Sequence, residues 1–197
     1  MHHLLFKRWK FIALVGLMFA VISTVITLLF PLEYRADAQV LIISKTRYGV
    51  DPYTVVKSAE RVGENLAQVM ETDDFLRKVR EAEGYRLDWS RFDGLNERQK
   101  RRAWPKMIAG SVVYGTGVLN VSTYHSNAEQ AKLFSAAVSD TVVNKAWEYV
   151  GADVILKVVN SPIVTRFPAR PNIFLNVLLG FVAGLFVGSA IVSRRHL

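Results

Sequence analysis

The side chains able to do chemistry in these 197 residues are few and dispersed. The histidines are His2, His3, His125 and His196, three of them near the ends and one alone. That dispersal assembles neither a metal cluster nor a histidine-based triad. Zero cysteines exclude a thiolate nucleophile, a disulfide framework and a cysteine-ligated metal. No phosphate-binding loop of the G-x-x-x-x-G-K-[ST] type occurs, and Gly115-Thr116-Gly117 is not a dinucleotide fingerprint. Asp73 and Asp74 are adjacent, as an acid/base pair could be, but after Thr72 they read better as the start of a helix. The other carboxylates are scattered. The expectation is a protein that is not an enzyme, with no catalytic residue, no metal and no cofactor.

Three patterns point to binding instead. Arg98, Lys100, Arg101 and Arg102 form a basic run that could meet an anionic glycan, a lipid phosphate or a neighbouring subunit, although such runs are commonly solvated helix faces. Trp89, Trp104 and Trp147 could stack on sugar rings, although single aromatics in helices and connectors are more often core. Gly180, Gly184 and Gly188 recur every fourth residue and so share one helix face. Stripping side chains from that face allows a second helix to approach closely within lipid. The partner could be the first apolar segment, whose Ser23, Thr24 and Thr27 can add hydrogen bonds, or another subunit.

The elements that must carry these residues begin with two uninterrupted apolar runs. Residues 11–30 and 173–192 are each 20 residues without a charge, enough at 1.5 Å per residue to cross about 30 Å of hydrocarbon. A cleavable signal peptide competes for the first run, because Lys7, Arg8 and Lys10 precede it and Ala36-Asp37-Ala38 resembles a cleavage site. The run is too long for that reading, and eight residues separate its end from the cleavage point after Ala38. The tails carry Lys7, Arg8, Lys10, Arg194 and Arg195 and no acid, so most of the formal charge of +8 is a topology signal. By the positive-inside rule both tails are cytoplasmic and the long middle segment is external. Nucleic acid is therefore a poor partner, and membrane lipid an obvious one.

The expected divisions are residues 1–10, a cytoplasmic tail; 11–30, a span; 31–160, an external domain; 161–172, a proline-rich strap; 173–192, a span; and 193–197, a cytoplasmic tail. Within the external domain, residues 34–43 alternate and then run apolar, as a strand does. Residues 54–70 place Val55, Ala59, Val62, Leu66 and Val69 at helical spacing. Residues 75–83 make a second helix. Residues 84–96 connect it to a charged helix over 97–103 that Pro105 should stop. Residues 112–114 and 118–124 read as strands around a glycine-rich hairpin or bulge. Asn127 opens a helix with Ala131, Phe134, Val138, Val142 and Tyr149 on its apolar face, Gly151 ends it, and 154–159 is a last strand. The fold expected is α/β (α+β), a small sheet covered by helices and anchored by two transmembrane helices. The first and last strands adjoin the spans in sequence, which puts the sheet at the membrane surface. Pro162, Pro168, Pro171 and Asn172 lie in the strap, where proline keeps the chain extended until the bilayer begins.

In this order of elements the chain resembles the Wzz-type chain-length determinants, or polysaccharide co-polymerases. The resemblance rests on the basic tail and first span, on Pro31-Leu32-Glu33-Tyr34-Arg35-Ala36 leading into the first strand, and on Pro168-x-x-Pro171-Asn172 followed by Gly180-x-x-x-Gly184. Arg170 stands where the family pattern usually has serine. The middle segment is too short for the long helical hairpin of many Gram-negative members, so the likeness is to their membrane-proximal base and to compact Gram-positive capsule proteins. The last five residues leave no room for a fused tyrosine-kinase domain. The resemblance implies a non-catalytic protein of the bacterial inner membrane that forms a homo-oligomeric ring. It would regulate chain length of an O-antigen, capsule or exopolysaccharide, acting on a polysaccharide polymerase or the growing glycan. An adaptor for a separate tyrosine kinase, or a plain two-span scaffold, are the alternatives.

Overall fold

A computed structural model of the chain describes residues 8–44, 51–151 and 153–194. Lys7, Arg195, His2, His3 and His196 lie outside the described residues, as does most of the loop after the first strand. The fold is mixed α/β, with seven helices and one four-stranded antiparallel sheet among the described residues. It divides into two compact units, Met1–Leu32 with Pro168–Leu197, and Glu33–Phe167.

The first unit is a pair of apolar helices, α1 (Trp9–Leu28) and α7 (Ile173–Arg194), each long and apolar enough to cross a membrane. Asn172 caps α7 by accepting from the Leu175 N–H at 3.0 Å. The two helices pack antiparallel, with Gly188 near Ile12, Gly184 near Gly16 and Gly180 near Ser23.

The second unit contains β1 (Tyr34–Ser44), α2 (Pro52–Met70), α3 (Asp73–Arg80), a 3₁₀ turn (Ser90–Phe92), α4 (Glu97–Met107), β2 (Ile108–Val112), β3 (Val118–His125), α5 (Ala128–Lys145), α6 (Trp147–Val150) and β4 (Val154–Val164). The strand order is β2-β3-β1-β4, so the first strand is central and the last is an edge. Alternation in β1 gives the sheet two unlike faces. Ala36, Ala38, Val40 and Ile42 point to the core and are essentially inaccessible, while Arg35, Asp37, Gln39 and Ile43 point away. Helices α2 and α5 cover only the first of these faces.

Caps set the helix entries. Asp51 accepts from the Thr54 N–H with Pro52 at the first helical position, and Thr72 accepts from the Phe75 N–H. Asn96 and Gln99 form a reciprocal capping box, and Asn127 accepts from the Glu129 and Gln130 N–H groups.

Several sequence-based expectations need correction. Pro105 does not stop α4, which continues to Met107. That extra turn buries Met107 beside Trp104, both fully inaccessible. Burying a methionine contributes about 1.5–3 kcal/mol, and with Trp104 added this offsets the ~3 kcal/mol cost of an interior proline. The buried residues of α2 are Ala59, Glu60, Gly63, Leu66 and Met70, with Val55, Val62 and Val69 on the flank. The buried face is rotated because Gly63 lets β2 come close: a Cβ there would lie 2.8 Å from Val112 Cγ2. Strand β2 begins at Ile108, four residues before the expected start, and Gly115 (φ 71°) turns it into β3 as a hairpin. Tyr149 is not on α5 but on α6, after Ala146. Strand β4 runs five residues past the expected Val159 and takes in Pro162, which its edge position tolerates.

Candidate functional surfaces

The glycine face of α7 packs closely against α1. A Cβ placed on Gly184 would lie 2.7 Å from Gly16 Cα and 2.8 Å from the Val15 carbonyl oxygen. One on Gly180 would lie 2.6 Å from Ser23 Cβ, and one on Gly188 3.2 Å from Ile12 Cα. At Gly184 backbone meets backbone, at Gly180 backbone meets the Ser23 side chain, and at both a Cβ forces the helices to shift, whereas Gly188 is merely tight. Polar atoms close the same seam. Ser23 Oγ donates to the Asn176 carbonyl at 2.8 Å, Asn176 Nδ2 donates to Thr27 Oγ1 at 3.2 Å, and Thr27 donates to the Ser23 carbonyl at 2.7 Å. Thr24 bonds its own helix at Ala20, not α7. In hydrocarbon no water substitutes for such partners, so the network resists separation of the pair.

The four strap residues are divided between the units. Pro162 sits in β4, whereas Pro168, Pro171 and the capping Asn172 belong to the helical unit.

The basic run lies on the solvent side of α4, because Trp104 and Met107 turn the opposite side inward. Arg101 pairs with Asp73 at 2.5 Å and Lys100 with Glu97 at 2.9 Å. Arg98 and Arg102 are exposed cations with no protein partner among the described residues. Four like charges in sequence are thus two paired and two free.

The tryptophans divide differently. Trp104 is in the core and donates Nε1–H to the Met70 carbonyl at 2.8 Å. Trp89 lies between Phe92, Trp104 and Phe134, with ring centroids 5.1–6.3 Å apart, and Arg80 covers it. Neither presents a ring for sugar stacking. Trp147, on α6, is exposed.

Asp73 and Asp74 serve different partners. Asp73 holds Arg101, while Asp74 accepts from the Tyr149 hydroxyl at 2.5 Å and pairs with Arg77 at 2.9 Å. The Tyr149 bond and Arg77 keep the Asp74 carboxyl below its ordinary range. Burial, with the Asp74 bond, pushes Tyr149 up to about 12. Tyr85 is likewise pushed up to about 12 by burial and by its bond to Asp140. Asp74, Lys78, Tyr85 and Asp140 line a groove of about 500 Å³ between α3 and α5, and Lys78 also pairs with Glu148. Asp74 and Lys78 tie α3 to α6, and Tyr85 ties the connector after α3 to α5.

His125 is buried, stacked on Phe134, and its Nδ1 accepts from the Asn127 N–H at 3.0 Å. Burial lowers its affinity for a proton, opposed by Asp88. It shapes the turn into α5. Among the described residues no group of three or more His, Asp or Glu side chains could hold a metal ion.

The uncovered sheet face is the surface that reading along the sequence missed. Gln39 is opposite Asn120 on one side and Asn160 on the other, and Ser111 is opposite Asn120. A row of polar side chains therefore crosses all four strands. Asn160 Nδ2 donates to Gln39 Oε1, and Gln39 Nε2 donates to Asn120 Oδ1 at 2.8 Å. In the next row Ser122 donates to Asp37 at 2.6 Å, and Arg35 pairs with the same carboxylate at 2.8 Å. These side chains, with Ser161, Ile163, Val164 and Thr165, line a shallow depression of about 700 Å³. The signal in the sequence was weak, because the four members of the row lie up to 121 residues apart.

These surfaces can pack helices and offer hydrogen bonds. They stand in a chain that leaves an apolar helix through Pro31-Leu32-Glu33 into a central strand. Residues 2–82 match the Wzz family, the chain length determinant proteins. The matched stretch takes in α1, β1, α2 and α3, and it is the family that the sequence resembles. No curated protein matches the chain. Wzz proteins have a chain-length role in polysaccharide polymerisation and act there as non-catalytic regulators. The match ends before the polar row reaches β2, β3 and β4, and before the glycine face of α7.

Proposed function

We propose that this chain regulates the length of a bacterial surface polysaccharide without itself catalysing a reaction. It acts as a two-pass protein of the inner membrane, with both tails cytoplasmic and residues 31–160 external. The observation that carries this reading is the Wzz match over residues 2–82 in a chain with two membrane-length helices flanking a single α/β unit. Copies of the chain associate into a homo-oligomeric ring around a polysaccharide polymerase and its growing glycan. The exposed Arg98 and Arg102 provide an anion-binding edge for lipid phosphate or an acidic neighbour. Positive charge in the tails supports the orientation.

The test is the length distribution of surface glycan on a gel in wild-type, gene-deleted and gene-restored strains. A modal length that disappears on deletion and returns with the gene is the expected result. An unchanged distribution removes length control and leaves a two-span scaffold. A change in total glycan without a change in mode, accompanied by loss of phosphate from a separate tyrosine kinase, would replace length control with the adaptor role.

A further inference from the structure

The uncovered face of the sheet has a composition that solubility alone does not demand. Outward faces of antiparallel sheets are generally polar, and charged side chains on edge strands keep those edges unpaired. Here the central row is Ser111, Asn120, Gln39 and Asn160, all short and uncharged. Gln39 and Asn120 are half-buried although no helix covers them.

The amides are already ordered by one another. The chain of bonds runs in one direction, Asn160 to Gln39 to Asn120. Each primary amide has two N–H donors and a carbonyl with two lone pairs. After the bonds between them, Asn120 keeps both of its N–H donors, and Gln39 and Asn160 keep one each. The Asn160 carbonyl remains an acceptor. Neighbouring strands lie ~4.8 Å apart, so the row presents alternating donors and acceptors over ~14 Å. Side chains held in this way lose little further rotamer freedom when a ligand arrives.

We infer that this polar row is a binding site for an uncharged, polyhydroxylated glycan segment running across the strands. Vicinal hydroxyls donate and accept together, which is the pattern the amides offer. Of the two flanking rows, one holds Arg35 and Asp37, whose charges cancel, and the other adds only the cation Lys157 opposite Leu41, so the face carries no charge cluster for a polyanion. Ile163, exposed in the edge strand opposite Asp37, supplies an apolar surface for the C–H face of a sugar ring. The inference rests on the function proposed above and names the surface that touches the polymer.

The experiment uses the full chain in lipid nanodiscs and the purified surface polysaccharide of the same strain. Binding is followed by calorimetry at low and high salt. The double variant Gln39→Ala/Asn120→Ala should bind at least tenfold more weakly, with unchanged circular dichroism. Asn160→Ala, in the exposed edge strand, should weaken binding severalfold and serves if the double variant fails to fold. Raising the salt should leave wild-type binding unchanged. No binding by the wild type, equal binding by Asn160→Ala, or binding abolished by salt each overturns the inference. In cells, variants that lose the modal length yet bind glycan normally also overturn it, and assign the face to a protein partner. Failure of the function itself is separate, because the deletion strain would then keep its distribution.

Discussion

The two units of this chain hold themselves together by opposite means. In the helical pair, contact comes from side chains that are missing: Gly16 and Gly184 put backbone against backbone, and small hydroxyls fill the seam. In the α/β unit, contact comes from large side chains, with Trp104, Phe75, Phe92 and Phe134 almost wholly inaccessible. The difference follows from the solvent each sequence was read to face. Water drives large apolar groups into a core at about 25 cal/mol per Å². Hydrocarbon gives no such drive, so helices there gain by close approach and by hydrogen bonds without water to compete.

The largest expected effect is in the α/β unit. Trp104→Ala removes the centre of the core and orphans the Met70 carbonyl, and should destabilise that unit by about 3–5 kcal/mol. Urea unfolding of the full chain in detergent, followed by circular dichroism, measures this. A loss below 1 kcal/mol would mean that the core closes around the gap.

Gly184→Leu probes the other mode. With Gly16 Cα 2.7 Å from the position of a Cβ, the helices must part, at a cost of about 1–3 kcal/mol typical of overpacking. Because the chain has no cysteine, Val15→Cys with Gly188→Cys, whose Cβ positions lie 3.3 Å apart, gives a clean cross-linking reporter of the pair. Unchanged cross-linking in the Gly184→Leu background would show that the seam is not a packing constraint.

Ser139→Ala sharpens the comparison at smaller scale. The Ser135 and Ser139 hydroxyls are buried without hydrogen-bond partners, in a unit that is packed by apolar contact. Removing one such orphan should stabilise by about 1 kcal/mol, seen as a raised urea midpoint with unchanged slope. A lowered midpoint would reveal a partner for the hydroxyl. Smallest of all is Arg101→Ala, which deletes the surface pair with Asp73 and should cost roughly 0–1 kcal/mol. A larger loss in the same unfolding measurement would make the basic run part of the scaffold.

How much was legible along the chain varied with the range of the interaction. The second apolar helix, the β1 alternation and the caps at Thr72 and Asn127 are local patterns and stand where the sequence puts them, while the first apolar helix, Trp9–Leu28, begins and ends two residues early. Pro105 misled because a local rule for stopping a helix lost to the burial of Met107. The stripe on α2 was displaced because Gly63, apolar by absence of a side chain, does not register in a count of apolar residues. The basic run was visible as charge, but which of its members are paired depended on Asp73, 28 residues away from Arg101.

By itself, then, the sequence determined the elements, because hydropathy, periodicity and capping act over a few residues. It also determined the two ends as membrane-length helices, because 20 consecutive uncharged residues leave few other structures open. Only the tertiary structure decided what faces what. Strand order β2-β3-β1-β4 brought Ser111, Asn120, Gln39 and Asn160 into one row. The antiparallel helix pair set Gly184 against Gly16. Both are pairings between distant segments, selected by the fit of whole faces, and no residue's own type encodes its partner.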